Sequence, residues 1–215
     1  MHDMTLDAPG VPRPAAPPTA EAAPPLVRWG ARAAIAAPLL AVFAIAVLVP
    51  ILTADTREVA GGARWVLVTG AALAQLLLLI LALLALYRVQ EHRFGTFGHA
   101  SALLALTGTV LAAGGAWDSA FTVPYLADVA PDVLDRASSG SLLAGYVSSY
   151  LVLVVGWAAF AVATLRAKVL PRGPAIALLC GSVLAIVPAP TAMRLLVVSV
   201  AVALLGRYSA AISHQ

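Results

Sequence analysis

The sequence predicts an all-α protein: a polytopic membrane bundle of about six transmembrane helices with both termini in the cytoplasm. Two runs, residues 65–87 and 142–165, contain no charged side chain. Each is longer than the roughly 20 helical residues that cross the hydrocarbon core of a bilayer. Hydrophobic residues make up 61% of the chain and charged residues 11%, whereas soluble domains carry about 25% charged residues. So little charge cannot cover the surface of a soluble protein.

The two ends of the chain are predicted to be cytoplasmic tails, with the bundle over residues 28–207 between them. Residues 1–27 are rich in Pro and Ala, and such a segment buries too little apolar surface to order itself. It lacks the basic start and apolar core of a signal peptide, so we expect the first spanning helix to direct insertion. Residues 208–215 form the second tail.

Six spans are predicted: 33–53, 65–87, 100–120, 142–165, 173–187 and 191–205. Pro38 and Pro50 lie near the two ends of the first. The last two spans are short, and Pro188-Ala189-Pro190 forces a turn between them because proline lacks a backbone donor. This pair either spans fully with local thinning of the bilayer or forms a re-entrant hairpin. Both arrangements return the C-terminus to the side on which the fifth segment began.

Basic residues indicate the orientation, because they are enriched in cytoplasmic loops. Those that would share one side are Arg28, Arg32, Arg88, Arg93, Arg166, Lys168, Arg172 and Arg207. The opposite loops hold Arg57, Arg64, Arg136 and Arg194 together with Asp55, Glu58, Asp128, Asp132 and Asp135. The first side is therefore expected to be cytoplasmic, in a multi-pass protein of the cell membrane.

Ionisable residues within spans are the first functional candidates, because each is costly in a membrane unless paired or solvated. Asp118 lies near the outer end of the third span, and Arg194 begins the sixth. The topology allows an Asp118–Arg194 ion pair at the outer boundary. Asp118 is then either a proton donor or substrate anchor in an outward-facing pocket, or half of a structural pair. If the helix continues past Pro124, Tyr125 shares the face of Asp118.

The fourth span places Tyr146, Tyr150 and Trp157 on one helical face, at spacings of four and seven. Such a stripe either lines a cavity for an apolar or cationic guest or packs against another helix. Gln75, in the middle of the second span, either contacts substrate or bonds across helices. Two pairs of small residues four apart, Gly70 with Ala74 and Gly108 with Ala112, suit close helix approach.

No metal or cofactor is expected. Asp128, Asp132 and Asp135 have the spacing of a helical carboxylate cluster, which Mg²⁺ favours, but Pro131 interrupts the segment, and we interpret it as a solvated amphipathic loop. Cys180 is the only cysteine, which excludes an intrachain disulfide and a cysteine-based zinc site. The chain has no basic patch with interleaved aromatics, so no nucleic-acid partner is expected. Membrane lipid is the expected partner, and the sequence names no protein partner.

From Asp118 onward the chain resembles small, uncharacterised multi-pass membrane proteins of actinobacteria. The residues that carry this resemblance are Val123-Pro124-Tyr125-Leu126-Ala127, Ala130-Pro131, Gly156-Trp157 and the segment 163–172. It implies a helical fold of several spans and supplies no activity. In size and general character the chain is also similar to bacterial membrane-bound terpene cyclases, which is an analogy of fold class alone.

Two functions stay open. The first is a membrane-embedded enzyme or binder of a small lipophilic, isoprenoid-like molecule, for instance an acid-initiated terpene cyclase with Asp118 as the acid. Its substrate would contact Tyr125, Tyr146, Tyr150, Trp157, Arg194 and Gln75. The second is a non-catalytic accessory or structural membrane protein, in which Asp118 and Arg194 serve stability alone. A transporter has less support, because spans one to three and four to six show no internal repeat.

Overall fold

The computed structural model describes residues 24–49, 59–136, 140–186 and 190–212, and these ranges contain helices and short turns but no strand. Most of the predicted N-terminal tail lies outside them, as do Pro50, Asp55, Arg57, Glu58, Pro188 and Ala189. The helices are α1 (Pro25–Leu48), α2 (Ala63–Gln90), α3 (Thr96–Trp117), α4 (Val123–Val129), α5 (Pro131–Arg136), α6 (Ser141–Ala167), α7 (Arg172–Leu184) and α8 (Thr191–Ile212). The bundle therefore begins earlier and ends later than residues 28–207.

Five of these helices are long and apolar enough to cross a membrane: α1, α2, α3 with its continuation to Val129, α6 and α8. The described part of the chain is thus all-helical, and its five long apolar helices are compatible with a multi-pass membrane protein. The helix in the predicted fifth span, α7, has only 13 residues. It rises about 20 Å, less than the roughly 30 Å of a hydrocarbon core. The helix in the predicted sixth span, α8, has 22 residues and is longer than predicted. Only one member of the pair is short.

The five long helices and the short helix α7 pack in a closed circuit. In order around it, α1 contacts α2, α2 contacts α3, α3 contacts α6, α6 contacts α7, α7 contacts α8, and α8 returns to α1 and α2. The interior holds large apolar side chains such as Leu79, Leu83 and Phe160. The outward faces are also apolar, as Leu39 and Leu103 show. A surface of this kind is unusual for a soluble monomer and suits contact with lipid.

Glycine brings α3 and α6 into backbone contact. A Cβ atom added to Gly108 would lie 2.3 Å from the Cα of Leu153, and one added to Gly156 would lie 2.6 Å from the Cα of Ala105. Small residues at such crossings let helix backbones approach in a membrane, where dispersion contacts rather than hydrophobic burial drive association. The close approach predicted at Gly108 is confirmed. Gly70, the other candidate, faces open space.

The circuit defines two ends of the bundle. At the Tyr146 end, α1 and α3 finish while α2, α6 and α8 begin, and Leu48, Trp65, Tyr146 and Thr191 line one cavity there. At the opposite end, called the Arg166 end, Arg166 lies over the ring of Phe97 at the start of α3. Most basic residues of the chain belong to the Arg166 end, namely Arg28, Arg32, Arg88, Arg93, Arg166, Lys168, Arg172 and Arg207.

The crossing of α3 and α6 predicts a sharp difference between two glycines of one helix. Gly108→Ala should destabilise the protein by about 1–3 kcal/mol, the usual cost of overpacking, because its new methyl group meets the α6 backbone. Gly114→Ala is the control, since nothing lies within 4 Å of its added Cβ. Thermal unfolding in a mild detergent measures both. Equal stability of the two variants would show that the crossing is not tight.

Candidate functional site

The Tyr146 end is shaped first by a break in regular helix after Trp117. One π-helical turn covers Asp118–Thr122 before the chain continues as α4. Pro124 has no N–H to donate to the carbonyl of Ala120, so one α-helical hydrogen bond is lost at this point. The wider turn changes the helical phase. Tyr125 therefore does not follow Asp118 at regular α-helical spacing, as a continuous helix would place it, and its side chain is 64% exposed.

Trp65 holds this π turn against α2. Its indole Nε1 donates a hydrogen bond to the backbone oxygen of Ser119, 2.8 Å away, and the Ser119 hydroxyl donates to the carbonyl of Gly115. A π turn leaves carbonyls without their ordinary helical donors, and Trp65 supplies one. This hydrogen bond from Trp65 to the π turn was not predicted from the sequence. The available signal was a tryptophan at the start of a span, where an indole usually finds a polar partner.

Tyr146 lines three cavities at this end. The Trp65 cavity, of about 270 Å³, also contacts Ser119 and Thr191. The Asp118 cavity, of about 280 Å³, lies between α3 and α6. The Arg194 cavity, of about 330 Å³, lies between α6 and the turn from α7 to α8. Tyr150 lines the last two, and its ring centroid is 5.0 Å from that of Tyr146.

Asp118 reaches the second of these cavities from the π turn. Its side chain is partly exposed, and the surrounding wall includes Gly115, Ser149 and the two tyrosines. Gly115 leaves room for Tyr146, whose ring would lie 3.3 Å from a Cβ at that position. A carboxyl group beside two aromatic rings has the elements predicted for an acid site.

Arg194 lies in the third cavity, above the ring of Tyr150. Its Cζ atom is 4.7 Å from that ring centroid, and its Nε atom is buried without a hydrogen-bond partner. The hydroxyls of Tyr150 and Thr191 form a hydrogen bond, which connects α6 to the first turn of α8. Ion pairs among the described side chains involve Glu91 with Arg88 and His92. The Asp118–Arg194 pair that the topology allowed is not formed.

Trp157 and Gln75 lie in helix packing, outside the three cavities. The indole of Trp157 is fully buried and donates to Thr109 Oγ1 at 3.0 Å. Gln75, also fully buried, donates from Nε2 to Ser199 Oγ at 2.8 Å and so joins α2 to α8. Both contacts match the packing interpretation that the sequence left open. Of the predicted site residues, the structure therefore assembles Asp118, Tyr146, Tyr150 and Arg194.

The acidic segment 128–135 does not form one helical face. Asp128 belongs to α4 and Asp132 to α5, because Ala130 leaves helical geometry and Pro131 starts a new helix. The side chain of Asp135 lies outside the described part of the structure. Within that part, no three His, Cys, Asp or Glu residues come together where they could hold a metal ion.

A smaller aromatic site, which the sequence analysis did not anticipate, lies at the Arg166 end. The Tyr87 hydroxyl and His99 Nδ1 are 3.0 Å apart, and both line a cavity of about 190 Å³ with Leu84 and Leu103. Phe94 packs against both rings. The mainly apolar wall offers few groups for chemistry.

Comparison with known proteins finds no matching family model, no matching curated protein and no matching solved structure.

Proposed function

We propose that this chain is a multi-pass protein of the cell membrane that binds a small lipophilic molecule at its Tyr146 end. The observation that carries the proposal is the position of Tyr146, whose ring lines three adjoining cavities. Ligand sites are usually concave and mostly apolar, with a few placed polar groups. Here Asp118 supplies one such group and Arg194 another.

The walls of the Arg194 cavity favour a guest that comes from the membrane. Leu143, Val147 and Leu151 line it, and their exposed fractions are 51%, 57% and 58%. In a bilayer these side chains would face lipid. A lipophilic molecule would then enter sideways between the helices and avoid transfer through water, in keeping with the isoprenoid-like class expected from the sequence.

The proposed orientation places the Arg166 end in the cytoplasm, because that end carries most of the basic side chains. Both chain termini then lie on the cytoplasmic side and the Tyr146 end faces outward. In this arrangement α7 returns the chain to the Tyr146 end despite its length, since α8 begins there. The short helix would be the fifth of six crossings.

Cysteine labelling in intact cells tests this orientation. In a Cys180→Ala background, Asp132→Cys should react with a membrane-impermeant maleimide from outside the cell. His92→Cys, equally in an exposed position, should react only after the membrane is permeabilised. The reverse pattern would place the basic end outside and contradict the proposal.

Mass spectrometry of small molecules extracted from the purified protein tests ligand binding. Wild-type protein should carry a specific lipophilic molecule, and Tyr146→Leu should reduce its amount at least about tenfold, since loss of a central aromatic contact can cost about 2 kcal/mol. Tyr208→Leu is the matched control, an exposed tyrosine near the other end. Bulk lipid alone in all three samples would favour the accessory or structural role.

A second candidate function is acid-initiated cyclisation of an isoprenoid, favoured by the position of Asp118 in the same cavity as Tyr146 and Tyr150. The protonated carboxyl would transfer its proton to a carbon–carbon double bond. A second double bond would attack the resulting cation to form the ring, and a neighbouring carbon would return a proton to the Asp118 carboxylate, which ends the reaction and restores the acid. Substrate and product are isomers, and the aromatic faces would stabilise the cation.

Incubation with farnesol or geranylgeraniol, followed by gas chromatography and mass spectrometry, tests this second candidate. Wild type should yield a cyclic product of unchanged mass, and Asp118→Asn should lower turnover at least about a hundredfold, the usual contribution of a positioned acid. Asp128→Asn, on an exposed position of α4, is the control. Full activity of Asp118→Asn would remove Asp118 from the chemistry.

A further inference from the structure

We infer that the Arg194 cavity recognises an oxyanion, a carboxylate or phosphate, carried by a membrane amphiphile whose apolar chain lies along α6. This inference rests on the proposed function and specifies the ligand class of one of its cavities. It depends on the charge of Arg194, on the contact between Arg194 and Tyr150, and on the shape left by the short helix α7.

The charge of Arg194 has no counter-ion among the described side chains. It forms no ion pair there, its Nε atom is buried without a hydrogen-bond partner, and Asp118 lines a different cavity. Arg194 also lies in the first turn of α8, where the helix dipole is positive and disfavours a cation. A guanidinium is costly at membrane depth unless it is paired or hydrated. An oxyanion in the cavity would offset both effects.

Tyr150 orients the guanidinium for such a ligand. The guanidinium carbon stands 4.7 Å from the ring centroid, and the ring itself is held by the hydrogen bond between Tyr150 and Thr191. Contact with an aromatic face leaves N–H groups at the edge of the guanidinium available. Those groups form the fork that binds carboxylate or phosphate through two parallel hydrogen bonds.

The end of α7 at Leu184 provides the space for an apolar chain. Because α7 stops there, it leaves uncovered the α6 surface of Leu143, Val147 and Leu151, all of which line the cavity. These side chains are more than half exposed. The charged end of an amphiphile would thus contact the Arg194 guanidinium, and its apolar chain would contact the lipid-facing surface of α6 beside it. A free anion would gain nothing from that surface.

Competition binding in phosphatidylcholine nanodiscs tests the inference. Radiolabelled palmitate is the probe, and hexadecyl phosphate, hexadecanol and inorganic phosphate are the competitors. Palmitate and hexadecyl phosphate should bind at least about tenfold tighter than hexadecanol, because a hydrogen-bonded charge pair replaces a neutral contact. Millimolar inorganic phosphate should not displace palmitate.

Substitutions of Arg194 test whether this residue causes the preference for anionic amphiphiles. Arg194→Gln should bind all three amphiphiles with equal affinity, and Arg194→Lys should retain part of the preference for the anions, because it keeps the charge but loses the fork. Arg207→Gln, an exposed arginine at the other end of α8, should behave as wild type. Thermal unfolding identifies any variant that fails to fold. The comparison of palmitate with hexadecanol on the wild-type protein tests the inference without any variant.

The outcomes separate this inference from the proposed function. Equal affinity of wild type for palmitate and hexadecanol would overturn the anion site while leaving a lipophile-binding protein. No saturable binding of any amphiphile would overturn both. Displacement of palmitate by inorganic phosphate would show that the apolar chain is not recognised, and would also overturn the inference.

Discussion

The backbone contact between α3 and α6 is the constraint on which the rest of the structure depends. Gly108 meets α6 at Leu153, and Gly156 meets α3 at Ala105, so neither helix can slide or rotate without a clash. The hydrogen bond from Trp157 to Thr109 locks the same crossing. In lipid, where apolar surface gains little by leaving its surroundings, close packing and such bonds are what hold helices together.

This crossing places the two halves of the candidate site together. Beyond Gly108, α3 reaches the π turn that carries Asp118, and α6 begins with Tyr146 and Tyr150 at the same end. Trp65 then holds the π turn from α2, while Thr191 holds Tyr150 from α8. Four helices thus position two tyrosines between a carboxyl group on one side and a guanidinium group on the other.

Because α7 is short, the Arg194 cavity is open at the surface of α6. A full-length helix at that place would cover the surface of α6 around Val147 and Leu151, and the Arg194 cavity would close. In the middle of the bundle, by contrast, side chains such as Leu79 and Phe160 are fully buried. Tight packing through the middle and an uncovered surface at one end are the features that the proposed binding site requires.

The sequence alone determined the all-helical fold class and the apolar runs of span length, which the structure shows as five helices long and apolar enough to cross a membrane. It also selected Asp118 and Arg194, because ionisable groups are costly within spans, and Tyr146 and Tyr150, because their spacing puts these aromatic rings on one helical face. It could not separate these from Trp157 and Gln75, because helical spacing gives the face of a side chain but not what lies opposite. The π turn, the role of Trp65 and the pairing of Arg194 with Tyr150 were decided by tertiary structure. Each depends on contacts between helices that are distant in sequence.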